Sequence, residues 1–313
     1  MAVVIQLILL AVGFVLLVKG ADWFVEGASK LAERFGIPQL VIGLTIVAMG
    51  TSLPEAAVSV SAALKGSAEI TIGNIVGSNI MNVLLILGIT SVITPITVQK
   101  STVRYELPFV VVISVLLSGI GLTDNEVGRA DGVILWILLI GYLLYLLRMA
   151  KAGAGIPGEE VEETGSMPVW KMLLLIVAGG LMIVIGSDVA VDAATELARI
   201  FGMSERLIGL TIVAFGTSLP ELVTSATAAL KGKADIAVGN IVGSNIFNIL
   251  FVVGTSALIT PVVYVADFMV DSIVCIASSI LLWVLVLGKH RLGRVGGACM
   301  LAGYAVYFVY LLG

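Results

Sequence analysis

The feature that most constrains this chain is an internal duplication. Residues 43–88 and 209–254 align without a gap at an offset of 166, and 31 of the 46 aligned positions are identical. Both copies begin GLTIVA. Both carry GTSLPE, at Gly50–Glu55 and Gly216–Glu221, and both carry GNIVGSN, at Gly73–Asn79 and Gly239–Asn245. The match fades outward: Gly20, Asp22 and Gly36 pair with Gly186, Asp188 and Gly202, and Thr94-Pro95 pairs with Thr260-Pro261. Any fold proposed for the chain must use the same segment twice.

The setting of both copies is apolar. Of 313 residues, 59% are hydrophobic and 12% charged, about half the ~25% charge of soluble chains. Apolar runs repeatedly reach the ~20 residues that cross a hydrocarbon layer as a helix. The alternation expected of a membrane barrel is missing. Ten spans are expected, near residues 3–24, 38–63, 70–94, 105–123, 131–148, 169–190, 204–229, 236–260, 268–288 and 295–312. The first run lacks the basic start and small-residue cleavage site of a signal peptide and counts as a span. Cys275 and Cys299 fall inside spans and read as packing residues. No basic patch suggests nucleic acid, and no feature calls for an obligate protein partner or a bound cofactor.

Parity decides the geometry. Five spans separate equivalent points of the two copies, so the second copy enters the membrane from the opposite side. The chain therefore reads as an all-α integral membrane protein of ten transmembrane helices in two inverted five-helix repeats. The first repeat is 1–148 and the second 169–313. Between them, 149–168 is a Gly- and Glu-rich linker. With both termini outside, twelve loop Lys/Arg residues lie inside, Lys231 and Lys233 among them, and four outside: Lys65, Arg129, Arg199 and Arg206. That asymmetry fits the positive-inside rule and makes the linker cytoplasmic, with the cell membrane as the location.

The motifs carry the chemistry. Pro54 and Pro220 have no N–H, so the carbonyls of Gly50 and Gly216 lose their helical partners. Such carbonyls in lipid need another partner, and a cation is one. Thr51, Ser52 and Glu55 sit within one turn on one helix face, and Thr217, Ser218 and Glu221 repeat the arrangement. Ser78 with Asn82, and Ser244 with Asn248, add oxygens beside the small-residue faces Gly73/Gly77 and Gly239/Gly243. Asn74 and Asn240 are further polar candidates. Carbonyl, hydroxyl, amide and carboxylate oxygens are the ligand set of a hard cation such as Ca²⁺ or Na⁺. A lone hydroxyl in such a helix commonly bonds its own preceding carbonyl, GxxxG often means packing alone, and a proline is often only a kink. A carboxylate at membrane depth is rarely tolerated without a function, and here there are two, Glu55 and Glu221. Asp22, Glu26, Asp188 and Asp192, near span ends, read mostly as interfacial, with the lining of an ion entrance as the alternative. Asp267 and Asp271 read as loop or helix-end residues, and His290, between Lys289 and Arg291, as a surface residue.

The paired GTSLPE and GNIVGSN segments resemble the two α-repeats of the calcium/cation antiporter superfamily, most closely its prokaryotic sodium/calcium exchangers. The resemblance implies antiport of Ca²⁺ against Na⁺ by alternating access, usually as Ca²⁺ extrusion. It implies long first and sixth helices that slide across a core of the second, third, seventh and eighth. It also implies metal ligands at Ala48 (through its carbonyl), Thr51, Ser52, Glu55, Ser78 and Asn82, and at Ala214, Thr217, Ser218, Glu221, Ser244 and Asn248. Asn82 and Asn248 stand where some family members place an aspartate at one position. The same glutamates also suit a Ca²⁺/H⁺ antiporter, and a cation channel is a further reading. A hydrolase would need a nucleophile and base that the spans do not offer.

Overall fold

The computed structural model describes residues 2–66, 69–153, 167–203, 214–265 and 268–312. Most of the linker (154–166), residues 204–213 with Arg206, and Asp267 lie outside the described residues. The first helix, α1 (Ala2–Phe35), is followed by α2 (Gln39–Thr51), whose middle, Gly43–Val47, is π-helical. Next come α3 (Leu53–Leu64) and α4, which runs as Glu69–Ile80, π-helical Met81–Leu87 and Gly88–Ile93. A short strand β1 (Ile96–Thr97) leads to α5 (Thr102–Asp124); β2 (Glu126–Val127) leads to α6 (Arg129–Gly153). The second half continues with α7 (Val169–Ile200), α8 (Ala214–Thr217) and α9 (Leu219–Leu230). It then forms α10 as Ala234–Phe247, π-helical Asn248–Val253 and Gly254–Ile259. Strand β3 (Val262–Val263), α11 (Phe268–Leu287), β4 (Arg291–Leu292) and α12 (Arg294–Leu312) complete it.

Among the described residues, eight helices are long and apolar enough to cross a membrane, and nine if the bent pair α2–α3 is one span. The tenth expected span, 204–229, begins outside the described residues; its remainder is α8 and α9. The first and sixth spans are long helices, as the resemblance implies. Reading spans by hydropathy ends them near residues 24 and 190, whereas α1 continues to Phe35 and α7 to Ile200. Asp22, Glu26, Asp188 and Asp192 lie within these helices and not at their last turns. The linker also starts later, because α6 runs through Gly153.

Two helices form the centre. In the most apolar stretch of α10, 94% of the residues are buried, and in that of α4 78%, against 17–39% for the other candidate spans. Gln99, beyond the end of α4, donates to Asp235 in the first turn of α10 (2.6 Å). Thr260, beyond the end of α10, donates to the Ala63 carbonyl near the end of α3 (3.1 Å). The two central helices thus run antiparallel. The small strands repeat this relation: β1 pairs antiparallel with β4 (Ile96 opposite Leu292) and β2 with β3 (Val127 opposite Val262). In each pair, the strand after one central helix joins the turn between the last two helices of the other half.

Outside this core, α1 and α7 pack together, antiparallel, on a seam of glycines. Gly13 faces Ala190, Gly20 faces Gly179 and Ile183, and Gly186 faces Leu17. A Cβ on Gly20 would stand 2.8 Å from the Gly179 carbonyl oxygen. Small residues allow this backbone approach where hydrophobic burial gives helices no reason to associate.

Candidate cation site

The GTSLPE motifs break their helices as the prolines require. Between α2 and α3 the axis bends by 51° at Ser52, whose φ of −85° and ψ of 8° leave the helical range. Ser218 repeats this at −94° and 3° between α8 and α9. Pro54 and Pro220 then sit in the first turns of α3 and α9, where a missing N–H costs little.

The break places Glu55 and Glu221 in those first turns, 1% and 0% exposed. Ser52 Oγ donates across the repeats to Glu221 Oε1 at 2.9 Å. Thr51 Oγ1 donates to Asn240 Oδ1 at 3.0 Å, again across the repeats, with Ala48 O at 3.3 Å. The Ala48 carbonyl also faces Ser244 Oγ at 3.4 Å. Asn74 and Asn240 are braces: Asn74 Nδ2 donates to Ser59 Oγ and Asn240 Nδ2 to Ser225 Oγ, both at 2.9 Å. Each thereby ties a central helix to the helix carrying its own repeat's glutamate. Of the expected residues, Ala48, Thr51, Ser52, Ser244 and Glu221 are joined by these bonds across the repeats, and Glu55, Asn82, Ser218 and Asn248 are buried. Ser78 is buried on α4; Ala214 and Thr217 open and close α8.

Two residues passed over in the sequence join the centre. Asn79 and Asn245 occupy equivalent positions, and each donates from Nδ2 to the other's backbone carbonyl, both at 3.3 Å. Asn82 Nδ2 donates to Asn245 Oδ1 at 3.0 Å, and Asn248 Nδ2 to Asn79 Oδ1 at 3.1 Å. Four asparagines form one closed, two-fold network. Asn82 and Asn248 open or adjoin the π-helical segments, where the wider turn rotates their side chains relative to the preceding α-helix.

One expectation is corrected. The Gly216 carbonyl freed by Pro220 does not wait for a cation: Ser187 Oγ on α7 donates to it at 3.0 Å. Both glycines face a side chain of a long helix, Gly50 the ring of Phe24 on α1 and Gly216 Val191 on α7.

Several buried oxygens find no hydrogen-bond partner among the described residues: Glu55 Oε2, Glu221 Oε2, Asn82 Oδ1, Asn248 Oδ1 and Ser218 Oγ. Four of the five can only accept while the carboxylates are ionised. Buried acceptors with no donor are costly, of the order of 1–3 kcal/mol each and more for charged groups. A cation satisfies acceptors and neutralises the carboxylates together. No cluster of three or more His, Cys, Asp or Glu side chains occurs among the described residues. The group therefore has two carboxylates in a field of neutral oxygens, unlike a tight structural metal centre.

Comparison with known proteins gives this arrangement its family. The family model described as "Sodium/calcium exchanger protein" matches residues 5–148 and 171–313. The chain belongs to the sodium/calcium exchanger family. It is 42% identical to the "Putative antiporter CaxA" of Alkalimonas amylolytica, over 97% of this chain and 98% of that one. It is 30% identical to the "Sodium/calcium exchanger MaX1" of Methanosarcina acetivorans, covering 99% of both. The solved structure of the sodium-calcium exchanger NCX_Mj soaked with 10 mM Na⁺ and zero Ca²⁺ superposes with a TM-score of 0.84 at 33% identity, over 98% of this chain and 99% of that one. The chain is a multi-pass membrane protein of a cation antiporter family, a transporter and not a member of a catalytic enzyme family.

Proposed function

We propose that this exchanger moves Ca²⁺ against Na⁺ by alternating access at one site between the repeats, usually as Ca²⁺ extrusion across the cell membrane. The site comprises Glu55 and Glu221, Thr51, Ser52, Thr217 and Ser218, Ser78, Ser244, Asn82 and Asn248, and the carbonyls of Ala48 and Ala214. The observation that carries the reading is the set of buried acceptor oxygens without donors around two carboxylates. Both ions are transported substrates, and no resident cofactor is needed.

Competition at shared oxygens suffices for exchange. Two carboxylates in a buried setting balance one divalent cation, or monovalent ions in its place, so occupancy by one ion excludes the other. Neutral hydroxyl, amide and carbonyl oxygens favour Na⁺ as the counter-ion, because a proton requires a base and no coordination shell. The test is ⁴⁵Ca²⁺ uptake by proteoliposomes loaded with Na⁺, with K⁺, or with a pH gradient. Uptake driven by Na⁺ alone is expected. Uptake driven by the pH gradient without Na⁺ assigns the Ca²⁺/H⁺ reading, and flux without any counter-ion assigns a channel.

The topology that supports alternating access is two inverted five-helix units, 1–148 and 169–313, joined by a cytoplasmic linker, with both termini outside. After replacement of Cys275 and Cys299, single cysteines at Lys65 and at Lys231 are expected to label from opposite faces of the membrane. Labelling of both from one face ends the inverted-repeat reading.

A further inference from the structure

Equivalent helices of the two halves are placed differently, and ion pairs accompany the difference. On one side α1 lies along α9. Lys231, just beyond α9, reaches α1: its Nζ is 2.6 Å from Asp22 Oδ1 and donates to the Asp22 carbonyl at 2.9 Å. Lys233 Nζ is 3.1 Å from Glu33 Oε1, and Lys30 holds Glu33 Oε2 at 2.9 Å. Glu26 is the remaining charge lining this small crevice.

On the other side α7 stands away from α3. The gap is a cavity of about 800 Å³ that reaches Gly50, Gly216 and Thr217 at its inner end. Pro54 and Val58 form one wall; Leu181, Asp188 and Asp192 belong to the other. At the offset of 166, Asp188 is the counterpart of Asp22, and Lys65 that of Lys231. Lys65 and Asp188 make no ion pair among the described residues.

We propose that Lys231–Asp22 and Lys65–Asp188 are alternating latches: each forms when its side of the site closes and breaks when that side opens. The inference rests on the alternating-access reading above. Lys65 and Lys231 act as positioning residues, holding α7 or α1 against the broken helix that carries a glutamate. The latches are unequal. In sequence Glu33 corresponds to Arg199 and Lys233 to Ser67, so the Lys233–Glu33 pairing is not repeated in the other half.

The test uses the full chain in nanodiscs, with spin labels at Val58 and Leu181 on opposite walls of the cavity. Lys231→Gln is expected to raise the population with a short inter-label distance about two- to fivefold, the range of a partly exposed ion pair. Lys65→Gln is expected to lower it. The exchanged pair Asp22→Lys/Lys231→Asp restores the wild-type distribution, which a side chain serving only to fill space would not do. An unchanged distribution in Lys231→Gln, or failure of the exchanged pair to restore it, overturns the latch. Each labelled protein is also assayed for Na⁺-driven Ca²⁺ flux. Distances that respond to the charge changes in a protein without such flux leave the latch standing and overturn the functional reading instead.

Discussion

The centre of the molecule and its candidate carboxylates obey the duplication to different degrees. Among the central asparagines the two-fold relation is complete: Asn79 and Asn245 exchange equal bonds, and Asn82 and Asn248 bond each other's partner. One turn away the relation fails. Ser52 donates to Glu221, whereas Ser218 has no partner among the described residues and does not reach Glu55. Further out, Ser187 donates to the Gly216 carbonyl, a bond its sequence counterpart Ala21 has no hydroxyl to make to Gly50. On the alternating-access reading proposed above, equivalent sequence in unequal surroundings belongs to the part that takes two arrangements, and the symmetric asparagines to the part that stays fixed.

The largest expected effect tests the carboxylates as a pair. Glu55→Gln and Glu221→Gln each keep the shape and remove one of two charges that balance a divalent ion. Loss of one partner of a buried charge set costs several kcal/mol, so Na⁺-driven Ca²⁺ flux is expected to drop by at least about two orders of magnitude in each. The two should be alike in turnover despite their unlike bonding here, because each glutamate occupies both settings during a cycle. A variant that folds, elutes as one species and exchanges at the wild-type rate refutes the shared-carboxylate mechanism.

Next in size is the static centre. Asn79→Ala removes a donor to the Asn245 carbonyl and strands the amide of Asn248; Asn245→Ala does the mirror-image damage. Each is expected to lower stability by about 1–3 kcal/mol per stranded buried group, read as equal drops in melting temperature in detergent. Unequal drops would place these asparagines in the moving part and break the comparison.

The glycine seam of α1 and α7 comes third. Gly20→Ala puts a methyl 2.8 Å from the Gly179 carbonyl oxygen and forces the helices apart. An overpacking cost of about 1–3 kcal/mol is expected, with slower exchange if the two long helices move as one body. Unchanged melting and unchanged flux would show that they separate freely.

Much of this was legible in sequence, and the losses have definite causes. The duplication sets the antiparallel centre, and the prolines locate the breaks at Ser52 and Ser218. Hydropathy alone understated α1 and α7, because Asp22 and Asp188 interrupt the apolar run that signals a span; Asp22 is half-exposed and paired with Lys231. Asn79 and Asn245 were hidden for a different reason. Asn79 and Asn245 lie three residues before Asn82 and Asn248, on the same helix face, but nothing in one chain's sequence says that these faces of α4 and α10 meet each other across the repeats. The bond from Ser187 to Gly216 joins two successive helices of the described residues, α7 and α8, whose relative placement the sequence pattern does not fix. Its one trace is the mismatch with Ala21, the residue at the equivalent position.

The smallest effect separates the two threonines. Thr51 donates to Asn240 Oδ1 in the opposite repeat, and Asn240 braces the helix of Glu221 through Ser225. Thr51→Val keeps the volume and removes the hydroxyl. It leaves Asn240 Oδ1 without that donor and removes one oxygen offered to a monovalent ion. A single neutral hydrogen bond is worth about 1 kcal/mol, so the apparent Na⁺ affinity should weaken roughly fivefold. The Ca²⁺ affinity should change less, because the carboxylates dominate the binding of a divalent ion. Thr217→Val is expected to match it in turnover, since alternation brings each threonine through the same arrangement. The measurement is the Na⁺ concentration dependence of Ca²⁺ flux, taken separately from each side of oriented vesicles. If both threonines serve a single moving site, the two variants shift the Na⁺ dependence by similar factors, with the sidedness reversed. If Thr51→Val alone has an effect, from one side only, the two halves are fixed in their different roles, and the asymmetry seen here is a permanent feature of the fold and not one of two interchanging states.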